Sequence, residues 1–134
     1  MTGFPLKIVT PDGIRFDGTA EQLVVRTTSG DVAIMARHVN YVAPLGMGQA
    51  VVTVDGDKRR GACIGGMVSV VDGVVTLVPT TFEWSKDIDV ARAEASQRRA
   101  EQTLERQDAT DLEISLAEAR LKRALIRTSV AKYK

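Results

Sequence analysis

The sequence predicts a protein in two parts, an all-β domain followed by a pair of α-helices. All 11 glycines and all 4 prolines of the 134-residue chain lie before residue 80. Because glycine and proline mark turns and interrupt helices, their absence from residues 85–134 permits long helices there. Short β-branched segments separated by turn signals occupy the first part, as in a sandwich or a barrel. We therefore divide the chain into residues 1–84 and residues 85–134.

The strands of the first part are indicated by runs of β-branched residues between glycine-containing turns. These runs are Lys7–Thr10, Gln22–Thr28, Val32–Met35, Ala50–Val54, Met67–Val71 and Val74–Val78. Turns are expected at the Asp-Gly pairs of residues 12–13, 17–18, 55–56 and 72–73, and at the Ser-Gly pair of residues 29–30.

The helical part begins near Asp87, which we expect to cap a first helix that extends to about Arg106. After a short break, Thr110 and Glu113 match a capping box, so a second helix should begin there and continue to about Val130. Because a loop this short joins antiparallel helices, we predict a helical hairpin.

The helix faces that are predicted to meet are narrow and rich in alanine. Their residues are Ile88, Ala91, Ala95 and Leu104 on the first helix, and Ile114, Ala117, Leu121 and Ala124 on the second. An alanine buries little apolar area, at about 0.8 kcal/mol for each buried methylene-sized group, so the contact should be weak. One interpretation is a hairpin that docks weakly and opens. A permanently folded hairpin that packs on the β domain is equally compatible with the pattern.

Composition argues against several functional classes. The net charge of +1 gives no excess charge to attract nucleic acid or an anionic membrane. No segment approaches the roughly 20 apolar residues of a membrane span, and the N-terminus predicts no signal peptide. With His38 as the only histidine and Cys63 as the only cysteine, we expect neither a catalytic triad nor a metal site. We interpret Cys63 as a small buried hydrophobe, and Met35, Met47 and Met67 as core residues.

One cluster of charges in the helical part is unusual. Asp89, Arg92 and Arg99 are spaced to share one face of the first helix within roughly 80°. Arg123 and Arg127 share a face of the second helix. If these faces meet, four guanidinium groups and one carboxylate converge, and a polyphosphate would stabilise them because guanidinium forks bind phosphate oxygens. A solvated charged surface is the alternative.

Several short motifs follow one another along the chain. They are Val9-Thr10-Pro11-Asp12-Gly13, Ser29-Gly30-Asp31, His38, Val42-Ala43-Pro44-Leu45, Gly65-Gly66, Ile88-Asp89-Val90-Ala91-Arg92-Ala93, Leu121-Lys122-Arg123-Ala124 and Ser129-Val130-Ala131-Lys132. Each motif is weak alone, but the ordered set resembles bacterial ATP synthase epsilon subunits and spans essentially the whole chain. Members commonly read Pro-Gly-His-x-Pro where this chain reads Ala-Arg-His-Val-Asn, at residues 36–40. The contact made by that loop is therefore expected to depart from the family pattern.

The resemblance implies a β sandwich of about ten strands followed by a C-terminal antiparallel two-helix hairpin. It implies a non-catalytic rotor subunit in the central stalk of a proton- or sodium-translocating ATP synthase, peripheral at the cytoplasmic face of a bacterial inner membrane. The sandwich would bind the gamma subunit and the c subunits of the rotor ring, with Ser29, Asp31 and His38 at that contact. The alternative function is a stand-alone module that senses a nucleotide or a protein partner.

The resemblance also implies two roles for the hairpin. In one role it reaches the catalytic alpha/beta head and inhibits ATP hydrolysis through Lys122, Arg123 and Arg127. In the other it binds ATP as a regulatory ligand rather than a substrate, and no cofactor is required. The implied ATP-binding residues are Glu83, Ile88, Asp89, Arg92, Ala93, Arg99, Arg123 and Arg127.

Overall fold

The computed structural model describes residues 2–133, which form two compact units divided between Trp84 and Ser85. The first unit contains ten β-strands, and the second contains two α-helices after a 3₁₀ turn, Ser85–Asp87. The strands are β1 Phe4–Thr10, β2 Gly13–Ala20, β3 Gln22–Thr27, β4 Gly30–Met35, β5 Tyr41–Pro44, β6 Met47–Val54, β7 Asp57–Ile64, β8 Met67–Val71, β9 Val74–Val78 and β10 Thr81–Trp84. The helices are α1 Val90–Glu105 and α2 Asp111–Ala131.

The first unit is a sandwich of two five-stranded sheets, as the resemblance implied. One sheet has the strand order β2-β1-β9-β8-β5, and the other has the order β10-β7-β6-β3-β4. β1 and β9 pair in parallel, and the remaining strand pairs are antiparallel. The prediction from β-branched runs missed β2, β5, β7 and β10, because these strands are short or contain charged residues. Lys58-Arg59-Arg60, for example, lies within β7 and pairs with β6.

The core of the sandwich is built from residues at alternate positions of the strands. In β1, for example, Leu6 and Ile8 are buried and their neighbours are exposed or half-buried, the period of a strand with one face in the core. Cys63 is 3% exposed, which confirms its prediction as a buried hydrophobe, and this burial raises the pKa of its thiol to about 12. The prediction that Met35 and Met67 are core residues is wrong. Their strand neighbours point inward, so the two methionines point outward and are 52% and 43% exposed.

Two of the predicted turns have the backbone geometry of tight hairpins. In Asp55-Gly56 and in Asp72-Gly73 both residues have positive φ, as a two-residue type I′ turn requires. The turns predicted at residues 12–13 and 29–30 also form, but one position earlier, at residues 11–12 and 28–29. The turn predicted at Asp17-Gly18 is wrong, because both residues lie inside β2, opposite Lys7 and Leu6 of β1.

Each helix begins at an acidic or hydroxyl side chain that caps its first turn. The carboxylate of Asp89 accepts a hydrogen bond from the backbone N–H of Arg92 at 3.0 Å, so Asp89 caps α1. The prediction of Asp87 as the cap is wrong, because that residue ends the preceding 3₁₀ turn. α2 begins at the predicted capping box, in which Thr110 and Glu113 exchange side-chain to backbone hydrogen bonds of 3.1 and 3.2 Å. No helix among residues 2–133 is long and apolar enough to cross a membrane.

The second unit contains two regularly spaced sets of buried alanines. They are Ala93 and Ala100 on α1, and Ala117, Ala124 and Ala131 on α2. Because seven residues make almost two turns, each set forms one stripe along its helix, and α1 packs against α2. The prediction is confirmed for Ala117 and Ala124. It is wrong for Ala91, which is exposed because it lies about 200° around the helix from Ala93.

Candidate functional site

A polar cleft of about 390 Å³ lies within the helical unit. Its lining residues are Ser96, Arg99, Ala100 and Thr103 from α1, and Ala117, Arg120, Arg123 and Arg127 from α2. The buried alanines Ala100 and Ala117 are small, so the polar side chains around them are left room to form a concave surface. The structure therefore brings together three arginines that the sequence predicted to converge, which are Arg99, Arg123 and Arg127.

Among the described residues, most of the arginine charge inside this cleft has no carboxylate partner. The described ion pairs of the chain join Arg26 to Asp31, and Arg106 to Asp108 and Glu113. Within the part of the chain that the structure describes, Arg99, Arg120 and Arg123 form no ion pair with a carboxylate. Several guanidinium groups around one concave surface repel each other unless an anion lies between them. The cleft is therefore suited to a multivalent anion.

Arg120 and the hydroxyl residues Ser96 and Thr103 were missed by the sequence prediction. A signal for Arg120 was present, because residues 120, 123 and 127 are spaced by three and four positions and share one helix face. The hydroxyl of Thr103 donates a hydrogen bond to the backbone carbonyl of Arg99 at 3.1 Å. This bond holds the Thr103 side chain at the cleft wall.

The other predicted ATP-site residues lie outside the lining of this cleft. Asp89 and Arg92 are exposed at the first turn of α1, where Asp89 acts as the helix cap. Ile88 and Ala93 are buried, with 3% and 4% exposure. Glu83 belongs to β10 of the sandwich, where it pairs with Ala62 of β7.

The turn between the helices is fixed by an ion-pair cluster around Arg106. The Arg106 guanidinium lies 2.5 Å from a carboxylate oxygen of Glu113 and 3.3 Å from Asp108. Glu113 also accepts the capping hydrogen bond from the backbone of Thr110. That bond, together with the one from Arg106, lowers the pKa of Glu113. One carboxylate thus caps α2 and also binds the residue that ends α1.

The three residues predicted to contact the rotor do not form one cluster. Ser29 and Asp31 lie at the turn before β4 and at its start, and His38 lies in the loop that follows the other end of β4. Asp31 pairs with Arg26 at 2.6 Å, and this hydrogen bond lowers the pKa of the carboxyl. His38 is half-buried and its ring packs edge-on against Tyr41, with 5.8 Å between the ring centroids.

The sandwich also has an exposed apolar surface that the sequence prediction missed. We call it the outer apolar face, and it consists of Val42 on β5, Met67 and Val71 on β8, and Val74 and Val78 on β9. Each of these side chains is between 43% and 61% exposed. Strand pairing places Val71 opposite Val74 and Met67 opposite Val78 on one side of the sheet, with the polar pair Ser69 and Thr76 between them. Apolar patches of this kind mark surfaces that bind a protein partner.

Comparison with known proteins identifies the family. Residues 3–85 match the family described as ATP synthase, Delta/Epsilon chain, beta-sandwich domain, and residues 86–132 match its long alpha-helix domain. The chain belongs to the delta/epsilon family of ATP synthase subunits. An ATP synthase epsilon chain from the bacterium Ruminococcus albus is 44% identical over 135 residues, which cover all of both chains. As a delta/epsilon family member, this chain is a non-catalytic subunit.

Two solved structures contain chains with the same fold as this delta/epsilon family member. The first is a Euglena gracilis mitochondrial ATP synthase with OSCP, F1 and c-ring in rotational state 1. Its chain has a TM-score of 0.83 and 20% identity, over 100% of this chain and 83% of that one. The second is the central stalk and c-ring of a Tetrahymena thermophila mitochondrial ATP synthase, with a TM-score of 0.65, 15% identity and 95% coverage of both chains.

Proposed function

We propose that the chain is a rotor subunit of the central stalk in a bacterial ATP synthase, peripheral at the cytoplasmic face of the membrane. Its sandwich binds the gamma subunit and the c subunits of the rotor ring, and so couples rotation to the catalysis carried out elsewhere in the complex. Family membership and the 44% identity to a bacterial epsilon chain support this proposal. The outer apolar face supports it too, because it offers the sandwich a surface for a protein partner.

The helical hairpin acts as the regulatory part of the subunit. In an opened form it reaches the catalytic alpha/beta head, where Lys122, Arg123 and Arg127 face acidic residues and inhibit ATP hydrolysis. In the closed form Arg123 and Arg127 line the cleft instead. The same two guanidinium groups cannot bind both an anion in the cleft and the catalytic head, so the two uses of the hairpin exclude each other.

ATP is the ligand that stabilises the closed form. The observation that carries this proposal is the cleft, in which Arg99 and Arg123 lack carboxylate partners among the described residues. These arginines, with Arg127, bind the phosphates. The nucleoside lies toward the start of α1, near Ile88, Asp89, Arg92 and Ala93. By binding only one form, ATP shifts the population toward it.

Calorimetric titration of the full chain with ATP, with and without magnesium, tests this function. We expect saturable binding that Arg123→Gln weakens about tenfold or more, because each charge-assisted hydrogen bond contributes about 1.5–3 kcal/mol. The matched control is Arg98→Gln, which removes the same charge from an exposed position of α1 outside the cleft lining. Absence of binding up to millimolar ATP would contradict ATP sensing and would leave the arginines with a protein-contact role.

A further inference from the structure

Arg120 lies on the wall of the hairpin cleft, but it belongs to neither of the two roles proposed above. Along α2 it lies about 4.5 Å from Arg123 and about 10.5 Å from Arg127, at 1.5 Å of helix rise per residue. The three residues point within about 60° of each other at 100° per residue. Arg120 therefore extends the row of guanidinium groups on α2 by almost one turn.

The direction of this extension follows from the order of the chain. α1 begins at its cap Asp89 and ends at the turn with Arg106, and α2 starts at that turn and runs back. Of the three cleft arginines on α2, Arg120 is therefore nearest to the turn, and Arg127 is farthest from it. On α1, Arg99 is likewise nearer to the turn than Arg92 is. Arg99 and Arg120 are thus the cleft arginines most remote from the cap of α1, at the end of the cleft that Thr103 and Ala117 also line.

Charge and exposure at this end favour an anionic group. Arg99 and Arg120 are exposed guanidinium groups, and among residues 2–133 neither has a carboxylate partner. Ser96, one helical turn before Arg99, adds a hydroxyl to the same lining. The two guanidinium groups and the Ser96 hydroxyl together offer more hydrogen-bond donors than one phosphate group requires. A planar guanidinium group can donate two hydrogen bonds at once to a pair of phosphate oxygens.

We propose that Arg120 is a further phosphate-binding residue of the cleft, and that together with Arg99 it contacts the terminal phosphate of a nucleoside triphosphate. This inference rests on the proposed function, because it places the nucleoside at the cap of α1 and the phosphate chain toward the turn. A diphosphate in the same position lacks the terminal phosphate, so it would lose the contacts with Arg99 and Arg120. Arg120 therefore makes the cleft select a triphosphate over a diphosphate.

Calorimetric titration of the full chain with ATP, ADP and inorganic tripolyphosphate tests this proposal. We expect Arg120→Gln to weaken ATP and tripolyphosphate about tenfold or more, and ADP less than about threefold. Arg120→Lys keeps the charge but loses the fork, so we expect an intermediate loss for ATP. Arg98→Gln is the matched control and should change none of the three affinities by more than about twofold. Far-UV circular dichroism of each variant checks that the hairpin is still helical.

The possible failures of this experiment can be told apart. If Arg123→Gln weakens ATP but Arg120→Gln does not, the Arg120 assignment is overturned and the proposed function stands. If Arg120→Gln weakens ATP and ADP equally, the terminal-phosphate position is overturned. An equal effect of Arg98→Gln would also overturn the assignment, because it would reduce the effect to net charge. If the unchanged chain binds neither ATP nor tripolyphosphate, the proposed function and this inference both fail.

Discussion

Gly66, between β7 and β8, occupies a position that no other residue can take without moving the backbone. Its φ is +95°, a conformation that L side chains rarely adopt. A Cβ built on Gly66 would overlap the carbonyl oxygen of Val78 and lie 2.7 Å from the Cα of Pro79. Both of these neighbours are backbone atoms, so a side-chain rotation cannot relieve the overlap.

We predict that Gly66→Ala lowers the free energy of unfolding by at least about 3 kcal/mol, because positive φ and backbone overlap act together. The matched control is Gly73→Ala. Gly73 has a similar φ of +79°, but nothing lies within 4 Å of its built Cβ, so only the backbone penalty of about 1–2 kcal/mol remains. Urea denaturation followed by circular dichroism measures both. Equal losses of unfolding free energy in the two variants would contradict this prediction, because they would show that the backbone around Gly66 shifts and relieves the overlap.

Single residues also show where prediction from the sequence reached its limit. Cys63 could be assigned to the core, because its chemistry and its neighbours in the sequence both favoured burial. Met67 could not, because methionine suits cores and surfaces alike and only the register of β8 decides its direction. Asp89 is a third case, because the sequence alone does not distinguish an acidic residue that binds a ligand from one that caps the following helix. The structure assigns the capping bond to it.

At the scale of elements, the alanine stripes determine how closely the two helices approach. Ala124 is 0% exposed, and a larger side chain there has no room unless the helices separate. We predict that Ala124→Leu destabilises the closed hairpin by about 1–3 kcal/mol, the usual cost of overpacking. If ATP stabilises the closed form, this variant should also bind ATP more weakly.

Thermal unfolding by circular dichroism and titration with ATP check the alanine prediction. Ala91→Leu is the control, because it places the same side chain at an exposed position of α1. A small change in stability is expected there, since leucine and alanine are both good helix formers. If Ala124→Leu were as stable as the control, the contact between the helices would be looser than the burial of Ala124 indicates.

The elements themselves were predicted unevenly from the sequence. Both helices were predicted, because glycine and proline are absent and the capping box at Thr110 is specific. The strand β7 was missed because its first half contains the charged residues Lys58, Arg59 and Arg60, although its second half is buried. Its pairing with β6 and β10 is a long-range property that no local pattern of residues contains.

At the scale of the whole molecule, the proposed function assigns a different role to each of the two units, the sandwich and the helical hairpin. In this proposal, the sandwich holds the subunit in the rotor and the hairpin senses ATP. We therefore predict that Val71→Asp, in the outer apolar face, reduces copurification of the gamma subunit at least tenfold, because a charge would be buried in an apolar interface. ATP binding by the same variant should be unchanged.

Copurification of tagged gamma subunit with each variant measures this effect. Leu112→Asp is the control, because it places the same charge at an apolar position of α2 that is 70% exposed. It should retain the gamma subunit. Loss of the gamma subunit in both variants, or in neither, would exclude the outer apolar face as the binding surface.

The division into two units follows from glycine and proline usage, so it could be predicted without a structure. The cleft could be predicted only in part. Helical spacing indicated that Arg99, Arg123 and Arg127 share faces, but whether Arg120 joins them depends on how the two helices are rotated against each other. That rotation is decided by which alanines are buried, and the sequence offered more than one possible stripe.

Burial of Cys63 has a practical consequence for observing hairpin movement in solution. With its pKa raised to about 12, the thiol is almost entirely protonated at neutral pH, and thiol-directed dyes attack the thiolate. Because the sulfur is also buried, we expect it to react much more slowly than an exposed cysteine, so it need not be removed from the core before labelling. Two cysteines added at exposed sites, such as Arg98 on α1 and Leu112 on α2, can carry a fluorophore pair that reports the separation of the helices in an otherwise unaltered chain.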